Sequence, residues 1–392
     1  MKPKPHIAVI GAGAFGSWTA LRLLEHGARV TLLDAWGPGN SRASSGGETR
    51  VMRGAYGPDQ PYTELATRAL KLWEKYERHW KRQFLHRSGV LWMAAGQDDA
   101  FERGSVEMLR AAKIKHQQLS AARMRKRWPQ INFEGILWGI FEPECGYLDA
   151  RASCQAVVDA FVAAGGRYQQ VAVMAGDLET NGLENGSLRS LPLSDGSELK
   201  ADSYVFACGP WLGRLFPGAI GDLVKPTKQD VFFFGAPAGD DRFSDRHLPV
   251  WADHHGRFRY GIPGSDRRGF KVADDTRGRA FDPTDGERIV SQDTLKDIRE
   301  YVGFRFPALK NAPLIETRVC QYEQTPDSHF IVDRHPAMEN VWLVGGGSGH
   351  GFKHGPAIGE MMAELILKDR EPASIWRLER FQKTALVGAA EL

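Results

Sequence analysis

Residues 6–34 constrain this chain more than any other stretch, because they read as strand, tight turn, helix and strand in immediate succession. Ile7-Ala8-Val9-Ile10 is a short apolar run suited to a strand buried on both faces. Gly11-Ala12-Gly13-Ala14-Phe15-Gly16 turns the chain, and Trp18, Leu21 and Leu24 then recur at helical spacing over residues 14–26. Gly27 stands where a helix commonly closes in a left-handed residue, and the next strand, residues 29–33, delivers Asp34 at its tip. In such a unit Gly11, Gly13 and Gly16 have separate tasks: one lets the strand reverse, one lets backbone approach a pyrophosphate, and one lets helix pack on strand. The helix N-terminus at Ala14 and Phe15 offers N–H groups and a positive dipole end to that pyrophosphate. Asp34 is placed to accept hydrogen bonds from a ribose. The context implies dinucleotide binding but does not separate NAD from FAD, and a glycine turn that serves packing alone is the bland alternative.

A second unit of the same kind closes the chain. Residues 341–344 read as a strand, 345–351 as a loop of nearly bare backbone, and 357–367 as a helix with Pro356 near its first turn. Two glycine-dense turns suit FAD, whose flavin and adenine halves need separate support. Residues 204–207 form another buried strand, closed by Cys208-Gly209-Pro210-Trp211, which resumes the opening pattern. From 225 to 318 the texture changes to short strands at 232–234, 260–263 and 269–272 between Gly, Pro and Asp turns, with a helix over 293–301. The expected fold is α/β: a discontinuous Rossmann-like FAD-binding domain (1–85, 149–222 and 320–392) and a mainly antiparallel β-sheet substrate domain with flanking helices (86–148 and 223–319).

Between these landmarks, helices are expected over 62–80, 98–115, 120–128 with Ser120 as N-cap, and 149–165. Strands are expected at 89–94, 135–142 and 170–174. Hairpins over 181–199 turn at Asn185-Gly186 and Asp195-Gly196. Residues 44–53 read as a helical turn that puts Arg50 and Arg53 on similar faces, for surface ion pairs or for anion recognition.

At 392 residues the chain has room for about two domains, and 51 Lys and Arg against 48 Asp and Glu leave no strong field for nucleic acid or an anionic membrane. The basic run 123–127 reads as a solvated helix face. Four cysteines without CxxC pairing or metal spacing fit a reducing, cytoplasmic setting and no metal site. Lys2 and Lys4 precede an apolar stretch, but Arg22 and Glu25 interrupt it, so it is not a signal peptide. No apolar span reaches the roughly twenty residues of a membrane helix, and residues 389–392 are not a peroxisomal address.

Further blocks carry a resemblance: Gly47-Glu48-Thr49-Arg50 with Arg53, Arg127-Trp128-Pro129, Phe141-Glu142-Pro143, Cys320-Gln321-Tyr322, His329-Phe330-Ile331-Val332-Asp333 and Ser348-Gly349-His350-Gly351-Phe352-Lys353. With the N-terminal glycines, the chain resembles the flavin-dependent amine oxidases related to monomeric sarcosine oxidase and N-methyltryptophan oxidase, in the D-amino acid oxidase superfamily. The similarity runs over nearly the whole chain, and Cys320 and the last block are its more specific parts.

The resemblance implies FAD held covalently by Cys320 through the flavin 8α carbon, a step that needs sulfur as thiolate. By the same likeness Arg53 and Lys353 grip a substrate carboxylate, a forked guanidinium beside a point charge. The resemblance also implies that Lys271 stands beside flavin N5 and promotes reaction with O2, although Arg267-Arg268 and Asp274-Asp275 around it would also suit a plain surface lysine. Tyr260 and Tyr322 resemble active-site tyrosines. Ser45, Thr49, Arg50, Val173, Gly209, Trp211, Gly346, Gly349 and Lys353 join the glycine turn around the cofactor. A monomer is implied.

The implied reaction binds a secondary or N-substituted amino acid, removes an amine proton and passes hydride equivalents from the adjacent C–H to FAD. The imine hydrolyses, and O2 becomes H2O2. A flavin-dependent amino acid dehydrogenase with another electron acceptor, and a non-catalytic nucleotide-binding sensor or subunit, are the alternatives. Two departures bear on substrate: sarcosine oxidases generally carry histidine where Gly46 stands and another close to Asp275. Loss of an imidazole changes pocket size and polarity, and Asp274 or Asp275 is expected to pair with a second, cationic group on a larger amino acid.

Overall fold

The computed structural model describes residues 3–96, 98–174, 176, 178–179, 183–264 and 268–381. Lys2, residues 181–182, Arg267 and residues 389–392, each used above, lie outside them.

The opening strand, His6–Ile10, is buried throughout and pairs in parallel with Arg29–Asp34 on one side and Ser203–Phe206 on the other. Met338–Gly345 continues the sheet in parallel, Ile331–His335 closes that edge antiparallel, and Arg167–Gln170 closes the other, giving six strands. Sequence-distant segments therefore share one sheet. At its centre the chain leaves Ile10 through Gly11, whose φ of +102° and whose would-be Cβ, 2.3 Å from the Ala207 carbonyl oxygen, both require glycine.

Two helices lie against each other on this sheet. Ala14–Glu25 is buried along most of its length, and Gly355–Leu367 crosses it so closely that a Cβ on Gly359 would stand 2.5 Å from the Trp18 carbonyl oxygen. Trp18 is the hub of the packing, with its ring 4.7 Å from Tyr76 and 5.2 Å from Trp73 on the helix Gln60–Trp80.

The second sheet has eight strands in the order Leu314–Gln324, Lys225–Phe234, Phe270–Asp274, Arg259–Ile262, Val250–Asp253, Val90–Ala94, Trp138–Glu142 and Gln117–Ser120. All its neighbours are antiparallel except Val250–Asp253 with Val90–Ala94. The helix Gln292–Arg305 packs on it through Ile298, Tyr301 and Val302. Its end is pinned by fully buried Arg305, whose Nε donates to Asp253 Oδ2 at 2.8 Å while the Tyr301 hydroxyl donates to the same oxygen at 2.8 Å. The strand Leu314–Gln324 runs through residue 320, where a domain division was expected, and carries residues from one sheet toward the other.

Two local expectations give way, and one strand was not foreseen. Residues 44–53 contain no helical turn: Thr49–Met52 is a strand paired with Gly146–Asp149, because a partner almost a hundred residues away supplies its backbone bonds. The strand expected at 170–174 is Arg167–Gln170, and Gln117–Ser120 is a strand that polar residues concealed. Ser120 does cap the helix Ala121–Arg127, accepting the Arg123 N–H at 3.4 Å. Among the described residues no helix is long and apolar enough to cross a membrane, and no metal-holding cluster is found.

Candidate active site

A cavity of about 330 Å³ opens at the carboxyl ends of the parallel strands. Gly11, Gly13, Ala14, Phe15, Asp34, Ser45, Val173, Gly209 and Trp211 line it, as do Arg50, Cys320, Tyr322 and Gly349. Gly13 is the N-cap of the helix Ala14–Glu25 and brings no side chain to its first-turn N–H groups, although Ser45 Oγ accepts from Ala14 N at 3.1 Å. Asp34 Oδ2 accepts the Ala12 N–H at 2.7 Å, and Oδ1 accepts those of Trp36 and Gly37 at 2.8 Å each. The carboxylate thus ties both turns together while keeping lone pairs toward the cavity. Burial pushes its pKa up against those three N–H groups.

Four residues assigned to the cofactor stand elsewhere. Gly16 faces the first turn, where a Cβ would lie 1.8 Å from the Gly11 carbonyl oxygen, so its task is packing. Gly346, at φ +67°, shapes the last loop and donates its N–H to Glu323 Oε2 at 3.3 Å. Thr49 and Lys353 line a second, adjoining cavity.

Cys320 lies on the long strand shared with the second sheet, and its Sγ is 3.4 Å from Arg50 Nη2. Arg50 is held by the carbonyls of Ser44 and Thr49, the latter at 2.8 Å. The contact sets a guanidinium directly against the sulfur.

The second cavity, about 70 Å³, shares Arg50, Gly349 and Phe352 with the first. Arg53, Lys353, Lys271, Tyr260 and Asp275 bring polar groups to it, and Val90, Trp92, Val250, Ala252 and Phe258 its apolar wall. Arg50 and Arg53 are three residues apart on extended chain, so they point to different neighbours. Arg53 lays its guanidinium 3.9 Å from the centre of the Tyr56 ring and bonds the Ala55 carbonyl. Lys353, 4 % exposed, donates to the Tyr56 hydroxyl at 2.8 Å and to the His350 carbonyl at 2.7 Å. Burial, reinforced by Arg53, holds it well below the usual lysine range, so an anion beside it restores its charge.

Lys271 is only 5 % exposed and is no surface lysine. It donates to the Thr49 carbonyl at 3.1 Å, and burial together with Arg50 lowers it to about 7. The Tyr322 hydroxyl donates to Asp275 Oδ1 at 2.6 Å, and Tyr260 stands beside both, its phenol raised by burial and by the Asp275 charge.

The family described as FAD dependent oxidoreductase, DAO, matches residues 6–365. The chain belongs to this family. It is 28 % identical over 382 residues to monomeric sarcosine oxidase of Bacillus sp. (strain B-0618), covering 95 % of each chain. It is 27 % identical over 396 residues to N-methyl-L-tryptophan oxidase of Escherichia coli (strain SMS-3-5 / SECEC), covering 97 % of this chain and all of that one. In fold it is similar to L-proline dehydrogenase from P. horikoshii, with a TM-score of 0.84 at 20 % identity over 98 % of this chain and 99 % of that one.

As a DAO-family FAD-dependent oxidoreductase the protein has FAD as its cofactor, and the first cavity fits it. Gly13 gives the helix Ala14–Glu25 no side-chain cap, so its N-terminus would suit an anionic pyrophosphate, a Cβ on Gly13 would stand 3.5 Å from Ser45 Oγ alone, and Cys320 lines the same cavity. Sequence reading missed Glu323. This carboxyl lines the cavity, and burial raises it to about 7 against the N–H groups of Gly347 and Gly346. Its position directly after Cys320-Gln321-Tyr322 was the one available signal. Tyr56 and His354 were also missed; the Tyr56 hydroxyl joins His354 Nε2 at 2.7 Å behind Lys353. Gly46 lines neither cavity. A Cβ there would stand 1.9 Å from the Asn40 carbonyl oxygen, so the glycine closes the turn at 40–43 and does not enlarge a pocket.

Proposed function

We propose that this FAD-dependent oxidoreductase oxidises a secondary or N-substituted amino acid, in the manner of sarcosine oxidase, to an imine with reduction of O2 to H2O2. One observation carries the reading: a compact cavity holding Arg53, Lys353 and Lys271 opens directly beside the cofactor cavity through Arg50, Gly349 and Phe352. The similarity to a monomeric sarcosine oxidase and an N-methyl-L-tryptophan oxidase supports it.

Arg53 and Lys353 bind the substrate carboxylate, and that anion returns Lys353 to its charged form. Trp92, Val250 and Phe258 exclude water around the carbon to be oxidised. Tyr260 and Tyr322 orient the amine end, and Lys271 supplies fixed positive charge for oxygen. Bound FAD would supply the redox chemistry, as acceptor of hydride equivalents from the C–H next to nitrogen with O2 as the final oxidant. We further propose that Cys320 bonds the cofactor covalently, that residues 1–85, 149–222 and 320–392 form the FAD domain, and that the protein acts as a monomer. All four cysteines are free, which supports a reducing, cytoplasmic setting.

A peroxide screen across N-methyl, cyclic and primary amino acids tests the reading. Peroxide with an N-substituted amino acid supports it, whereas stable reduced flavin in air favours the dehydrogenase.

A further inference from the structure

Two adjacent acids follow Lys271, and the structure separates them. Asp274 closes the strand Phe270–Asp274 and is consumed by structure: its Oδ2 lies 2.8 Å from Arg257 and 4.0 Å from Arg259, and its Oδ1 accepts the Thr276 N–H at 2.8 Å. Asp275 turns the other way. It is anchored by its own N–H, which donates to the Phe258 carbonyl at 2.9 Å, and its side chain lines the second cavity.

Asp275 is the one carboxylate among the described residues that line this cavity, where Arg50 and Arg53 bring guanidinium groups and Lys271 and Lys353 bring amines whose charge burial weakens. Tyr322 occupies Oδ1 at 2.6 Å, while Oδ2 has no hydrogen-bond donor among the described residues. A carboxylate held by one phenol, with its other oxygen open to a small cavity, is a receptor for a cation. The cavity is therefore bipolar, with paired cations to take an anion and a lone acid to take a positive charge. An α-amino acid zwitterion has that pattern within a few bonds.

Size decides which cation is meant. At about 70 Å³ the cavity is far below the roughly 300 Å³ and more of ordinary ligand pockets, and its remaining wall includes Val90, Trp92, Val250, Ala252 and Phe258. A long basic side chain would meet apolar surface and no second acid. We infer that Asp275, oriented by Tyr322, is the subsite for the substrate's own ammonium group, so that the site takes compact amino acid zwitterions and rejects amino acids with a second cation. The inference rests on the proposed reading of this cavity as the amino acid site and replaces the second cationic group expected from sequence.

The test uses glycine and propionate, carboxylates of like shape that differ by an ammonium, titrated anaerobically into the flavin-loaded enzyme and read by perturbation of the flavin spectrum. Wild type is expected to bind glycine at least about tenfold more tightly than propionate. Asp275→Asn should remove most of that preference and leave propionate within about threefold of wild type, with Asp275→Ser as a second variant and flavin content as the check on folding. L-Arginine should bind more weakly than glycine. An unchanged glycine-to-propionate ratio in both variants, or tighter binding of L-arginine, overturns the inference while propionate binding that depends on Arg53 preserves the carboxylate site. If neither ligand perturbs the flavin, the reading of the cavity falls and this inference falls with it.

Discussion

Arg50 Nη2 stands 3.4 Å from Cys320 Sγ, joining the short strand Thr49–Met52 to the long strand Leu314–Gln324 across 270 residues. The contact places a permanent cation beside the sulfur that we propose bonds the cofactor. Acid-precipitated wild type should therefore keep its yellow colour in the pellet, and Cys320→Ser should release it. Arg50→Met should load FAD but link it slowly, because the sulfur loses the guanidinium that contacts it. Equal linkage in that variant would remove Arg50 from the step.

Lys271 should govern reoxidation. Its ammonium sits near 7, so the rate of reaction of reduced enzyme with O2 is expected to fall as pH rises through about that value, where the positive charge is lost. Lys271→Met should lower the rate by about 10²–10³ and flatten the profile, with flavin reduction far less affected. Stopped-flow reoxidation measures both. The same shift sets a stability trend: the folded chain holds this proton less tightly than the unfolded chain, so the lysine destabilises fully below about 7, and that cost fades toward its ordinary 10.5. Lys271→Met should accordingly raise Tm more in acid than in alkali.

Arg53 is expected to act on binding. Charge-assisted hydrogen bonds contribute about 1.5–3 kcal/mol each, so Arg53→Met should weaken substrate binding roughly tenfold to a hundredfold per bond lost. Arg53→Lys should recover only part, since a point charge cannot reproduce the fork. Saturation of the anaerobic flavin-reduction rate gives the dissociation constant directly, and unchanged saturation in Arg53→Met would place the carboxylate elsewhere.

Glu323 should make cofactor affinity pH-dependent. Its carboxyl sits near 7 in the cavity that receives the pyrophosphate, so it ionises less readily once that anion is present. Measured in a Cys320→Ser background, where FAD can dissociate, affinity should fall as pH rises through about 7. Glu323→Gln should keep the tight, low-pH affinity throughout; identical pH profiles would show that the carboxyl plays no part.

Much of the nucleotide half was legible because its signals are local. The glycines at 11, 13 and 16, Asp34 and the loop 345–351 each follow a strand and open a helix or turn. The arginines at 50 and 53 were misplaced on a helical turn because the strand Thr49–Met52, which holds Arg50 and ends just before Arg53, is fixed by Gly146–Asp149, a partner no local pattern reveals. Polar edge strands such as Arg167–Gln170 and Gln117–Ser120 carry no apolar alternation to read. Glu323 escaped for a different reason, and Lys271 and Asp275 were reached only through the resemblance. Each looks like an ordinary surface charge beside its neighbours, and only tertiary packing turns it inward.

The central claim is most directly tested by mixing the flavin-loaded enzyme anaerobically with a series of N-methyl and cyclic amino acids and then admitting air. The account predicts loss of the oxidised flavin band with at least one of them, rapid return in air, and peroxide equimolar with the amine consumed. A band that none of these amino acids bleaches would contradict it.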